Sequence, residues 1–129
     1  MSLADADAQA KKATVQTLST QEFNEKVYDI NAETLKYKGN KPAIVDFYAD
    51  WCGPCRAIAP TLQDVAEEYN GEIAVYKVNI DNSPELAHAF GIRSIPAVMY
   101  IPLKGEPVLT VGGRDKAKFK NEIATYLKK

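Results

Sequence analysis

From Ala43 to Ala49 the chain runs Ala-Ile-Val-Asp-Phe-Tyr-Ala, apolar at every position but Asp46. A short run this uniform is the pattern of a strand covered on both faces. The period then changes. Ile58, Leu62, Val65, Ala66 and Tyr69 recur at helical spacing, which predicts a long helix from about Cys52 to Tyr69. Pro60 falls inside that helix, where it removes one ladder hydrogen bond, so a kink is expected. Asn70-Gly71 ends it in a left-handed cap or turn. Glu72 to Ile80 reads as the next strand, with Ile73, Val75 and Tyr76 available for packing.

Upstream, residues 13 to 18 alternate loosely and fit an edge strand. Ser19 or Thr20 supplies an N-cap, with Glu22 placed for a capping box, before a helix through Phe23, Val27 and Ile30. Residues 31 to 41 are polar and end in turn residues, the composition of an extended loop. Downstream, Asp81-Asn-Ser-Pro84 is turn chemistry leading to a short helix, Glu85 to Phe90, stopped by Gly91. Ala97 to Ile101 and Pro107 to Val111 read as a hairpin joined through Lys104-Gly105. Gly112-Gly113 breaks the second strand. Asp115 then caps a last helix with Phe119, Ile123 and Leu127 on one face, and Lys128-Lys129 complement its dipole. The order β-α-β-α-β-α-β-β-α places the chain in the α/β class, with parallel pairing through crossover helices and an antiparallel hairpin at one edge.

Composition changes this picture little. The chain has 129 residues, enough for one domain with its own core, expected over 13–129. It is 46% hydrophobic and 26% charged, ordinary proportions for a globular fold. Lys and Arg total 16 against 17 acidic residues, so nothing points to nucleic acid. No apolar run approaches the roughly 18 residues of a membrane helix, and no membrane insertion is expected. Residues 1–12 are small and polar, a flexible segment without the apolar stretch of a signal peptide. They read as an expression scar or the start of a mature exported protein. The compartment stays open: cytoplasmic, or periplasmic if a signal peptide has been removed.

Candidate chemistry centres on the two cysteines, Cys52 and Cys55, separated by Gly53 and Pro54 where the strand hands over to the long helix. The first N–H groups of a helix lack partners inside it, and the dipole adds positive potential there. A thiolate at that place is stabilised, and the thiolate is the form that attacks. Cys52 is therefore expected to be the more exposed and more acidic thiol, in a site suited to disulfide exchange. The alternative is an inert local bridge. A structural zinc needs four ligands, and His88 is the one further soft donor, so no metal is expected. His88 itself reads as a surface or half-buried residue on a short helix. Asp46 is the other outlier. Val45 and Phe47 point away from it, while Ile44 and Tyr48 share its face. It is either a structural acid, turned to the sheet edge or paired with a lysine, or a buried acid of raised pKa that moves protons for Cys55.

Trp51-Cys-Gly-Pro-Cys55, entered from Val45-Asp-Phe-Tyr-Ala49, resembles the active-site motif of the thioredoxins. Lys77-Val-Asn-Ile-Asp81 and Gly91-Ile-Arg-Ser-Ile-Pro96 resemble two further signatures of that family at matching separations. The likeness covers roughly residues 20 to 129, and its WCGPC form is that of bacterial thioredoxins. It implies the thioredoxin fold, a central mixed β-sheet flanked by helices on both faces. It also implies a protein-disulfide oxidoreductase in which Cys52 attacks a client disulfide and Cys55 resolves the mixed disulfide. Gly53 and Pro54 would supply the tight preset turn between them. Asp46 matches the family's buried aspartate, and Lys77 the lysine near it. By base rate an X–Pro bond is trans; the resemblance implies that Pro96 is cis and that the Ile95 backbone pairs with an extended client. Trp51, Gly91, Ile92 and Gly112 would form the apolar rim for that client. No cofactor beyond the Cys52–Cys55 disulfide is implied. The partners would be disulfide-containing proteins and a recharging donor, either a flavoprotein reductase or a membrane electron carrier, with the chain itself a monomer. Tyr48 stands where many members have tryptophan, Arg56 where many have lysine. Residues 31–41 are longer and the 102–107 hairpin richer in proline than usual. A competing reading is a thioredoxin-fold binding module or chaperone-like subunit with little redox turnover.

Overall fold

A computed structural model describes residues 14–128; the flexible segment expected at residues 1–12 lies outside them. Along the chain come β1 (Gln16–Thr17), α1 (Thr20–Lys26), β2 (Ala43–Tyr48), α2 (Gly53–Glu68), β3 (Ala74–Asn79), α3 (Pro84–Ala89), β4 (Ala97–Ile101), β5 (Val108–Val111) and α4 (Lys116–Tyr126). The element order is the one expected from the hydrophobic pattern. The strands form one sheet in the order β1-β3-β2-β4-β5. β1, β3 and β2 run parallel, while β2–β4 and β4–β5 are antiparallel. β2 thus lies at the middle of a mixed sheet, which explains its unbroken apolar run.

Alternation along β2 sends its side chains into two separate cores. Ile44 packs with Val98 and Tyr100 beneath Ile58 and Leu62 of α2 and Phe119 and Ile123 of α4. Val45 and Phe47 pack on the opposite face with Phe23, Val27, Leu86 and Met99. Asp46 belongs by the same alternation to the α2/α4 face. The two-faced burial accounts for the helices on both sides of the sheet.

The helix ends carry the expected chemistry. Ser19 Oγ accepts the Glu22 N–H at 3.1 Å and Glu22 returns the contact to the Ser19 N–H at 3.0 Å, a complete capping box. Asp115 caps α4 by accepting from the Lys118 N–H at 2.9 Å. Gly71, at φ 82°, supplies the left-handed turn after α2.

Three boundaries differ from expectation. α1 stops at Lys26 and does not reach Ile30. Val27 leaves helical geometry, and Asn24 Oδ1 captures the Ile30 N–H at 3.1 Å, holding the chain in a turn. β3 begins at Ala74 instead of Glu72, since the Glu72 and Ile73 N–H groups still bond back to Tyr69 O. β1 shrinks to two residues, Gln16 and Thr17 in register with Tyr76 and Lys77 of β3, and its pairing ends where the Leu18 N–H bonds to Lys77 O at 2.9 Å. Residues 31–41 form no helix or strand, as expected, and are tied down by Lys38 N–H to Val27 O (2.9 Å) and Tyr37 OH to Lys41 O (2.6 Å).

Candidate active site

Cys52 is the N-cap of α2, in extended geometry at φ −87°, ψ 109°. Its sulfur accepts the Cys55 N–H at 3.2 Å, the place where a serine or aspartate oxygen sits in an ordinary N-cap. Cys52 and Cys55 form a disulfide across a Cα–Cα distance of 5.3 Å. Both are buried in this oxidised state, at 5% and 3% exposure, so the expected difference in access between the two sulfurs is slight. Gly53 and Pro54 are exposed between them. Trp51 is 67% exposed and its indole N–H donates to Asp81 Oδ2 at 2.9 Å.

Asp46 is 2% exposed, and its Oδ1 finds no hydrogen-bond partner among the described residues. Burial pushes its pKa up from 3.8 to about 6, against weaker opposing pulls from Lys77 and Arg114. Lys77 is its register partner on β3, yet no ion pair among the described residues joins the two. The Lys77 ammonium lies over the Tyr48 ring instead, 4.2 Å from its centroid. Tyr48 and Lys77, with Ala49, Asp50, Cys55, Arg56 and Ala59, line a cleft of about 180 Å³. The acid's same-face neighbour and its register partner therefore both reach the space beside Cys55.

Across the disulfide, Ile95 is half-buried against the cluster of Ala49, Cys52 and Cys55. The Ile95–Pro96 peptide bond is cis, and Pro96 O accepts the Gly112 N–H at 2.9 Å. Pro96 and Gly112 are thus brought together next to Ile95, the residue that touches the cysteine cluster. Gly91 ends α3 exposed at φ 64°. Ile92 packs with the Val45/Phe47 core and not with the cysteine cluster.

One buried residue escaped the sequence reading, and two residues named there acquire partners it did not give. Asp81, read in a turn and at the end of a family signature, positions the Trp51 indole. Tyr48, read as the same-face neighbour of Asp46, receives the Lys77 ammonium. Arg114 is buried with no side-chain exposure and bonds to Gly112, Thr110 and Glu122. A signal for it existed: Glu122 interrupts the apolar stripe of α4 between Phe119 and Ile123, and an acid placed there needs a buried cation.

The family description Thioredoxin matches residues 14–125. A thioredoxin of Borreliella burgdorferi is 35% identical over 111 residues, covering 85% of this chain and 95% of its own length. A thioredoxin of Pyropia yezoensis is 43% identical over 103 residues, covering 80% and 92%. An M-type chloroplastic thioredoxin of Spinacia oleracea is 39% identical over 104 residues, and there the match spans 58% of the relative's length and 78% of this chain. The crystal structure of chloroplastic thioredoxin z superposes with a TM-score of 0.74 at 27% identity, covering 88% of this chain and 94% of that one.

Proposed function

The chain belongs to the thioredoxin family and is a thiol-disulfide oxidoreductase, and from that premise we propose that it reduces protein disulfides in the manner of the bacterial WCGPC members, with each step carried by a named residue. The observation that carries the reading is the Cys52 sulfur in the N-cap of α2, accepting the Cys55 N–H. In the reduced protein the same N–H and the helix dipole stabilise a Cys52 thiolate.

That thiolate attacks one sulfur of a client disulfide. A Cys52–client bond forms, the client S–S bond breaks, and the first client sulfur leaves as a thiolate that takes up a proton. Cys55 then loses its proton and attacks the Cys52 sulfur, closing the disulfide and releasing the second client thiolate. Asp46 accepts the Cys55 proton; a carboxyl with its pKa raised to about 6 exchanges protons readily near neutral pH. Lys77, held on Tyr48 at the edge of the cleft, favours the ionised acid. The client chain lies along Ile95 and Pro96, paired with the Ile95 backbone, with Trp51, Gly91, Ile92 and Gly112 around it and Gly53 and Pro54 beneath. Two electrons pass to the client, and a reductase returns them.

Insulin reduction by dithiothreitol, followed as turbidity, tests this reading: the protein should accelerate it, and Cys52→Ser should abolish the effect. Cys55→Ser should accumulate mixed disulfides that Cys52→Ser does not form. Equal trapping by both variants would overturn the two-step scheme, and client binding without any acceleration would make the protein a binding module.

A further inference from the structure

We infer that Arg114 is a positioning residue for the client: its buried guanidinium holds the Gly112 turn, and through it the Pro96 edge on which the client lies. The residue stands between the end of β5 and the α4 cap, and its side chain is fully buried. Nε and Nη2 both donate to Gly112 O, at 3.1 and 2.7 Å. Nη1 donates to Thr110 Oγ1 and to Glu122 Oε1, each at 2.6 Å. Both acceptors are held in turn: the Thr110 hydroxyl donates to Val98 O at 3.2 Å, and the Tyr100 hydroxyl donates to Glu122 Oε1 at 2.9 Å. The fork therefore stands on β4, β5 and α4 together and closes on a single backbone carbonyl.

That carbonyl belongs to the one rim residue bonded directly to Pro96. Gly112 sits at φ 109°, past the last ladder pair of β5, with its N–H on Pro96 O. Glycine has the widest choice of backbone conformations, and here both of its peptide polar groups are fixed, one by Pro96 and one by Arg114. From Arg114 the contacts run to Gly112, to Pro96, and through its neighbour Ile95 to the disulfide. A buried ion pair contributes little net stability over apolar residues of similar volume, so its value here is the geometry it imposes. Lysine cannot replace it, since a single ammonium lacks the planar fork. A client meeting a pre-ordered edge loses less freedom on binding than one that must order the edge itself.

The inference rests on the client-docking reading above, and the test separates the two. Pre-reduced protein is mixed with rising concentrations of insulin, and separately with a small aromatic disulfide that does not reach the edge. Arg114→Leu/Glu122→Gln removes the fork and both charges while leaving Tyr100 an acceptor. It should raise the half-saturating insulin concentration at least about fivefold and leave that of the small disulfide unchanged, while the lost pull on Asp46 acts on the maximal rate with both. Glu122→Gln alone keeps the fork and should show wild-type half-saturation. Arg114→Lys keeps the charge without the fork and should match the double variant in half-saturation, which preserves the test if the double variant fails to fold. Wild-type half-saturation in the forkless variants, or an equal rise in half-saturation with both disulfides, overturns the proposal. Wild-type protein that reduces the small disulfide but never saturates on insulin overturns the docking reading instead.

Discussion

Asp46 carries its carboxyl into the α2/α4 core, where Oδ1 lacks a partner among the described residues and its register partner Lys77 rests on Tyr48. A carboxyl that ionises near 3.8 when unfolded and about 6 when folded carries a penalty on the order of 3 kcal/mol at neutral pH. The folded state holds the proton more tightly, so stability is lost as pH rises through that window and the penalty is absent below it. Asp46→Ala should then stabilise the domain by about 2 kcal/mol at pH 7, the penalty less the small void left behind. The gain should vanish near pH 4, and urea melts of both proteins across that range measure it. Slower release of mixed disulfides should accompany it, at the step where Cys55 gives up its proton. A variant less stable than wild type at pH 7 would make Asp46 an ion-pair partner. At the neighbouring site, Cys52 is one of two sulfurs buried alike in the disulfide, so acidity must distinguish the thiols. After reduction, iodoacetamide at neutral pH should label Cys52 first, and mass analysis of early samples would reveal the reverse order.

Elements here are joined at their ends as much as through their faces. α1 has only seven residues, too short to persist on propensity, and its Ser19–Glu22 box satisfies two N–H groups that α1 cannot satisfy internally. Ser19→Ala should cost about 1 kcal/mol in a urea melt. Between β5 and α4 the junction is the Arg114–Glu122 pair. Arg114→Leu alone leaves Glu122 nearly buried without its cation and should cost about 3 kcal/mol. Adding Glu122→Gln should recover most of that loss, because residues of one network do not contribute additively. Equal losses for the single and double variants would show that packing, and not charge, sets the cost.

At the scale of the molecule, both cores share β2, so neither can be dismantled without the other. We expect residues 13–129 to unfold as one unit. Trp51 fluorescence and far-ultraviolet circular dichroism should trace coincident urea transitions, oxidised or reduced. Separate midpoints would show two cooperative units. The Cys52–Cys55 bridge closes a loop so short that reduction should lower stability by no more than about 2 kcal/mol. The fold should therefore survive both redox states, as a turnover cycle demands.

What the chain determined by itself is whatever depends on near neighbours. The change of period at Ala49–Cys52 places the cysteines at a helix mouth, and the Ser19 and Asp115 caps and the Gly71 turn follow from local backbone chemistry. Two-faced burial of β2 was legible from its composition, because a half-exposed strand would have alternated. Tertiary structure decided the rest. Nothing local tells Lys77 to lie on Tyr48 and leave Asp46 unpaired, or Asp81 to reach Trp51 across thirty residues. The extent of β1 is set by what β3 offers it, and α1 ends where Asn24 finds the Ile30 amide. Arg114 drew no reading from the sequence, and the meeting of β5 with α4 buries it between Gly112 and Glu122. A cap or a period is satisfied within a few residues of itself. A buried charge draws its free energy from partners that the fold alone brings within reach.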